Sequence, residues 1–221
     1  MDYEISKLNK VIRGGHKASY DKKIIHSILD SSEICNIAFS IEGKAYVQPI
    51  NFGRDGETLY LHGSQQNRMT SALIEAEEVC LSVMYLDSIK LTRSAFHHSV
   101  NFRSVIVFGK VRELKTNEEK LIGLKALINH FVPNRWDFCR PPNENELKAT
   151  RVLAIDIESA SAKIADTPPK DNVEDYKLDY WSGEFPIKTI CEFPIPDKNI
   201  KDGVPIPQHV LDFYEKNKNG F

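Results

Sequence analysis

The chain has 221 residues, 41% hydrophobic and 27% charged, which is enough to bury a full core and too balanced in charge for disorder. Its 29 basic and 31 acidic residues leave a formal charge of -2, so no global field draws it to nucleic acid or to an acidic membrane face. Any anion site must be local.

The start, Met1 to Lys7, has no basic segment followed by an apolar stretch, and no apolar run approaches the length that spans a bilayer. The expectation is a cytoplasmic protein. Cys35, Cys80, Cys139 and Cys191 lie far apart, without the Cys-x-x-Cys pair of a zinc knuckle or redox motif. Cys35 and Cys80 fall in apolar runs and read as reduced core residues.

After a polar leader, Tyr20 to Ser31 sets Ile24, Ile25, Ile28 and Leu29 at helical spacing, which predicts a short amphipathic helix with those four facing inward. Ile34 to Ile41 and Lys44 to Asn51, joined by Glu42-Gly43, predict a hairpin. Arg54-Asp55-Gly56 then turns the chain into a third strand, Thr58 to His62, and consecutive pairing of the three would make a meander.

Leu59 to Met69 reads as a strand that stops at a small polar turn and opens a helix. Ser64 is a candidate N-cap, Gly63 lets the backbone approach a ligand closely, and the amides of the first helical turn are free to bind an anion. Arg68 follows one turn later, where a cation opposes the helix dipole unless water or an anion offsets it. A capped surface helix with a solvated Arg is the plain alternative.

That helix is expected to carry Met69, Ala72, Leu73 and Ala76 inward. Val79 to Leu86 follows as a strand, Asp87-Ser88 as a turn, Lys90 to Arg93 as the next strand, and Phe102 to Arg112 as a long one rich in β-branched residues. A helix from Asn117, its cap, to His130 would face Leu121, Leu124, Ile128 and Phe131 inward. Another helix begins near Asn143, and Val152 to Ile157 closes the series of about seven short strands. The pattern predicts a mainly β protein with peripheral helices, an antiparallel barrel or sandwich in place of a βαβ sheet.

From Asp166 onward seven prolines, from Pro168 to Pro207, break up the segment, so residues 1–165 form the main domain and 166–221 an extension wrapping it. Glu184 to Ile187 recurs as Glu192 to Ile195, which predicts two similar edge strands. Tyr180 and Trp181 would anchor the tail or roof a ligand site.

Arg93 to Ser104 is too polar for a plain hairpin. His97 and His98 are neighbours in an extended segment and point apart, with no third ligand at metal spacing, so no metal site is expected. Arg93, Ser94, Arg103 and Ser104 could add donors to an anion pocket, since guanidinium forks suit phosphate; an ordered loop with self-satisfied hydroxyls is the alternative. The chain has no Gly-x-Gly-x-x-Gly motif, no P-loop lysine and no Gly-x-Ser-x-Gly elbow. His97 or His98 could serve as acid or base, but the sequence names no partner for either.

Two phosphate-friendly segments without catalytic acids imply a bound phosphorylated cofactor that does the chemistry. Leu59 to Ser64 with Arg68-Met69, and Arg93 to Ser99 with Asn101 to Val105, resemble the pyridoxamine 5'-phosphate oxidase-like FMN-binding split barrels. The nearest branch is the flavin-nucleotide-binding proteins related to nitroimidazole-resistance reductases. The resemblance runs from Arg13 to Gly183 and takes in Gly14 to Asp21 and Ala160 to Lys163.

The resemblance implies an antiparallel split β-barrel and a homodimer with FMN in clefts shared by both subunits. His62, Gly63, Ser64, Arg68 and Met69 match the phosphate-side turn, and Gln48, Pro49, Ile50 and Asn51 the strand lining the flavin. Asn101, Arg103 and Ser104, with Ser94 and His98 in the same segment, would complete the cofactor contacts. The implied activity is an FMN-dependent oxidoreductase that reduces a small organic acceptor, with NADH or NADPH as donor; a non-catalytic flavin- or haem-binding module is the alternative. Pyridoxamine phosphate oxidases proper end in a Trp-Gln-Gly segment and an Arg-x-His clamp. Here Tyr180-Trp181-Ser182-Gly183 runs on into Glu184-Phe185-Pro186-Ile187, so that particular oxidation is not expected.

Overall fold

Three long strands form the spine of the molecule. The computed structural model describes residues 1–220. The strands are β1 (Ala18–Ser19), β2 (Ile34–Ile41), β3 (Lys44–Asn51), β4 (Gly53–Asp55), β5 (Thr58–Ser64), β6 (Val79–Leu91), β7 (Ser99–Leu114), β8 (Thr150–Ala165) and β9 (Gly183–Pro186). All pair antiparallel in one sheet of order β3-β2-β6-β7-β8-β5-β4, with β1 on β8 and β9 on β6. Among the described residues no ladder joins β3 to β4, so the barrel stays open, which is the split-barrel architecture.

The β2–β3 hairpin has the boundaries its sequence predicts, because Glu42 and Gly43 both take positive φ (52° and 74°), the conformation a two-residue hairpin turn needs. The meander does not form. β5 pairs with β8 from Thr58↔Asp156 to Ser64↔Thr150, across the sheet from β3. Asp87-Ser88 is not a turn either; β6 runs through it to Leu91, with a bulge at Asp87 between the Leu86 and Ser88 pairs. Of the two expected tail strands only Gly183–Pro186 forms, added to β6 beyond the point where β2 ends; Glu192 to Ile195 has no strand pairing.

The helices are α1 (Lys22–Leu29), α2 (Arg68–Glu75), α3 (Asn117–Phe131), α4 (Glu144–Ala149) and α5 (Gln208–Asn217). In α1 the Asp21 carboxylate caps the amides of Lys23 and Ile24, and the buried stripe is Ile25, Ile28 and Leu29, which leaves Ile24 exposed. Thr116, not Asn117, caps α3 in a reciprocal box with Glu119. That start turns Lys120, Gly123 and Leu127 into the interior, and Leu121, Leu124, Ile128 and Phe131 are only partly covered. The C-terminal helix α5 is not marked by the sequence pattern.

The barrel interior is filled by Ile37, Leu61, Leu81, Val107 and Ile155 with Leu29 of α1 and Met69 and Leu73 of α2. Each such side chain contributes roughly 1.5–3 kcal/mol on burial. A second cluster of Tyr60, Leu114, Leu127, Val152 and Ala154 lies under α3, which covers the other face of β5 and β8. This explains the unbroken apolar run Val152 to Ile155, buried on both faces. Gly53 makes the close approach of α3 possible: a Cβ there would lie 2.5 Å from Leu127 Cα.

Candidate functional site

β5 delivers His62, Gly63 and Ser64 to the edge of α2. The helix begins at Arg68 and its cap is Asn67, whose Oδ1 accepts from Met69 N at 2.9 Å, while Ser64 remains the last strand residue and its carbonyl accepts from Asn67 N at 3.0 Å. Both residues are good caps by type, and strand pairing with Thr150 decides between them. A Cβ on Gly63 would stand 3.1 Å from Asn67 Nδ2, so the turn is closed tightly on its own cap. His62 Nδ1 is buried without a hydrogen-bond partner, and burial holds the imidazole below the ordinary His pKa. Arg68 is exposed at the helix start, its guanidinium 5.2 Å from the Tyr46 ring centroid. Met69 points into the core.

On β3, Pro49 and Asn51 pair with Asn36 and Ile34, and Gln48 and Ile50 pair with Ile37 and Cys35 of the core. Pro49 and Asn51 therefore share the sheet's outer face with Ser104, which pairs with Met84 and with Lys163. Ile34, Val47, Met84, Leu86 and Ile106 alternate with core residues on their strands and stand exposed on the same face.

The second polar segment is anchored by carboxylates. Asp171 of the tail is buried and accepts from the amides of Arg93 (3.1 Å) and Ser94 (3.2 Å) and from the Arg93 guanidinium (3.3 Å). Burial alone would raise its pKa, but these donors outweigh it and the carboxyl is held low. Arg103 forks onto Asp87 at 2.9 and 3.1 Å. Both guanidiniums that the sequence offers as phosphate donors are thus engaged by acids of the same chain. Asn101 is buried and bonded to both backbone groups of Thr167 and to Glu184, and Ser104 Oγ donates to the Lys163 carbonyl at 3.3 Å. Ser94 caps a short 3-10 turn over Ala95–His97, and His98 follows it with Nδ1 3.1 Å from the Ser94 carbonyl.

One cation group escaped sequence reasoning. Arg13, His16, Lys17 and Lys163 line a cleft of about 410 Å³ with Gly14 and Phe102, on the Ser104 side of the outer face. The signal was present in Arg13 to Lys17, but only the pairing of β1 with β8 brings Lys163 to it. A larger hollow of about 520 Å³ beside α3, lined by Asp30, Arg54, Lys125 and His130, holds none of the sequence-selected residues. Its Arg54–Asp30 pair closes at 2.5 Å, and we read it as a packing groove. All four cysteines are free; Cys35 is buried, and burial pushes its thiol up to about 12. Among the described residues no three His, Cys, Asp or Glu side chains converge as a metal site, and no helix is long and apolar enough to cross a membrane.

An open antiparallel barrel whose fifth strand runs into a capped helix, with one face left apolar and fringed by cations, defines a split-barrel protein of the cofactor-binding kind. The chain belongs to the pyridoxamine 5'-phosphate oxidase family, whose model matches residues 21–164. It is similar to the flavocytochrome Anf3 of Azotobacter vinelandii, with 32% identity over 94% of this chain and 96% of that one and a TM-score of 0.87. It is also similar to the FAD and haem binding protein of Mycobacterium smegmatis, with 31% identity over 89% of this chain and 96% of that one and a TM-score of 0.83. A candidate 5-nitroimidazole antibiotic resistance protein of Bacteroides thetaiotaomicron shares the fold, with 24% identity over 66% of this chain and 86% of that one and a TM-score of 0.57. No curated protein matches the sequence.

Proposed function

We propose that this chain is a homodimeric flavoprotein that also carries haem and passes electrons from a reduced nicotinamide, through its flavin, to a small acceptor. The observation that carries this reading is the reach of the similarity. The family model accounts for residues 21–164, whereas the flavocytochrome matches 94% of the chain, the tail included. The tail accordingly goes with the two-cofactor proteins.

The residues fit a flavin nucleotide. An orphaned, buried His62 Nδ1 beside a helix start, with Arg68 exposed next to it, suits a phosphate or a ribityl hydroxyl. Pro49 and Asn51 on one side and Ser104 on the other flank an apolar face broad enough for a planar ring. Ser64 lies opposite Thr150 and Ser104 opposite Lys163, thirteen positions apart on β8, or roughly 40 Å of extended strand. One chain cannot bring both sets to one flavin. A two-fold partner can, and the exposed Met84, Leu86 and Ile106 face supports the same dimer.

FMN is the cofactor the sequence resemblance implies. The second cation group at Arg13, Lys17 and Lys163 gives a further phosphate a seat, which favours FAD. The flavin supplies electron and hydride transfer at its own ring, and the chain binds it, orients it and excludes water. The substrate clamp of the oxidases proper is missing, which speaks against pyridoxamine phosphate.

Flavin released from the purified protein should chromatograph as FAD at one per chain, and the bound flavin should bleach on anaerobic addition of NADH or NADPH. A flavin that stays oxidised with both donors would leave the non-catalytic binding module as the reading. Protein that is colourless and fails to take up added FAD or FMN would end the flavin assignment.

A further inference from the structure

We propose that His98 is the iron ligand of the haem, through Nε2, and that the macrocycle lies against the outer face of the hairpin that β6, β7 and β9 build beyond the barrel. This rests on the flavin-and-haem reading above and names the residue that reading lacks.

The tautomer of His98 follows from its neighbours. Nδ1 lies 3.1 Å from the Ser94 carbonyl and 3.3 Å from Thr92 Oγ1. The carbonyl can only accept, and Thr92 gives its hydroxyl proton to that same carbonyl at 2.8 Å. Nδ1 therefore holds the ring proton. Nε2 is left with a bare lone pair on an exposed ring, and an Nδ1–H bonded to a backbone carbonyl is the support that iron- and zinc-ligating imidazoles use. The turn that carries it is fixed by the buried Asp171 through the amides of Arg93 and Ser94.

Four of the other six histidines are bonded or enclosed, whereas His16, exposed in the cation cleft, and His97 have no ring hydrogen bond among the described residues that fixes a tautomer. His130 is bonded at both ring nitrogens, to the Ser32 carbonyl and the Arg54 amide, and His26 sits between Tyr3 and Glu57. His209 is buried against Phe138. His62 is under the α2 turn, and His97 stands edge-on to Phe96.

The surface beside His98 offers the apolar face that haem requires. Val100, Ile89 and Phe185 pair in one row across β7, β6 and β9 and are 37%, 39% and 57% exposed, with Trp181 in ring contact with Phe185. An apolar row of this kind, open to water, is a seat for a ligand. Phe102 continues the same face along β7, up to the cleft whose cations are assigned above to the flavin's further phosphate.

The test is reconstitution of the whole protein with hemin, reading ferric and dithionite-reduced spectra, hemin affinity and flavin content together. The wild type should give a nitrogen-ligated spectrum. His98→Ala should lose that signature and bind hemin at least about tenfold more weakly, regain the signature with added imidazole, and keep its flavin. His97→Ala should match the wild type. A His98→Ala variant with wild-type spectrum and affinity overturns the ligand assignment alone. A wild type that holds flavin but takes no hemin overturns the haem reading and this proposal with it.

Discussion

Arg103 and Asp87 form a forked ion pair at the one point where β6 bulges. The bulge leaves Asp87 outside the β6–β7 ladder, and its carbonyl instead accepts the amide of Ile187 in the tail at 2.8 Å. The pair thus sits where the long hairpin leaves the barrel and receives β9. Both side chains are partly exposed, so a double-mutant cycle with Arg103→Ala and Asp87→Ala should give a coupling of about 1 kcal/mol by urea denaturation. A coupling near zero would return the Arg103 fork to the pool of phosphate donors that the sequence suggests.

Lys120 is a buried lysine with two carbonyl partners, Leu147 and Thr150, each at 2.8 Å. It ties α3 to the junction of α4 and β8 and so to the strand against which His62 pairs. Lys120→Met keeps the apolar stem and removes the donor. The expected cost is about 1–3 kcal/mol, toward the lower end because the Thr150 carbonyl keeps Gln65 Nε2 as a donor. Equal urea midpoints for variant and wild type would refute this role.

What could be read from the sequence were patterns whose cause is local. The β2–β3 hairpin carries its register in its own alternation and in Glu42-Gly43, and α4 carries its start in Asn143. Two capping residues three apart, Ser64 and Asn67, leave the start of α2 undecided until β5 finds β8. Asp87-Ser88 has turn chemistry and serves as a bulge, because only the length of β7 shows that the ladder continues. Residue types that suit phosphate were legible at Arg93 and Arg103; their acidic partners, Asp171 and Asp87, were not, since pairing across 78 residues in one case and 16 in the other has no sequence signature. The basic cleft was missed for the same reason.

His62 and His26 are both held below the ordinary His pKa, in each case first by burial, with the Arg54 charge adding to it at His26. Below about pH 6.5 the unfolded chain takes up protons that these folded sites refuse, so stability falls as pH drops through that window. Carboxylates such as Glu146, held down to about 2 by its Arg140 fork, titrate below it. The urea midpoint of apoprotein should therefore drop between about pH 7.5 and pH 5.5, and drop less in His62→Gln. An unchanged slope in the variant would mean that His62 is not enclosed in solution.

Gly53 and Gly15 should respond in opposite ways to the same change. At Gly53 an added methyl meets the backbone of α3, 2.5 Å from Leu127 Cα and 2.7 Å from its N, and backbone cannot rotate away. Gly53→Ala should cost about 1–3 kcal/mol, with loss of α3 packing seen as faster amide exchange there. Gly15 has open space around it, and Gly15→Ala should stay within about 0.5 kcal/mol of wild type. If both variants melt alike, α3 does not lie as close to β4 as the structure has it.

On the proposed reading, the separation along β8 of the two residue groups assigned to the flavin couples dimerisation to flavin binding. Ile106 stands mid-face, opposite Ser82 and Ser161 and one pair along from the Met84–Ser104 pair's neighbours, and touches none of the polar groups assigned to the phosphate. Ile106→Glu places a charge in the face proposed to meet its two-fold mate, where an unpaired buried carboxylate is strongly unfavourable. Sedimentation should show the wild type at twice the 25.2 kDa chain mass and the variant at the chain mass, with flavin lost from the variant in step. The sheet itself should survive, because Ile106 is outside the core and its backbone bonds in both ladders are untouched. A monomeric variant that keeps full flavin would mean that one chain completes the site, and the division of the flavin contacts between two chains would fall.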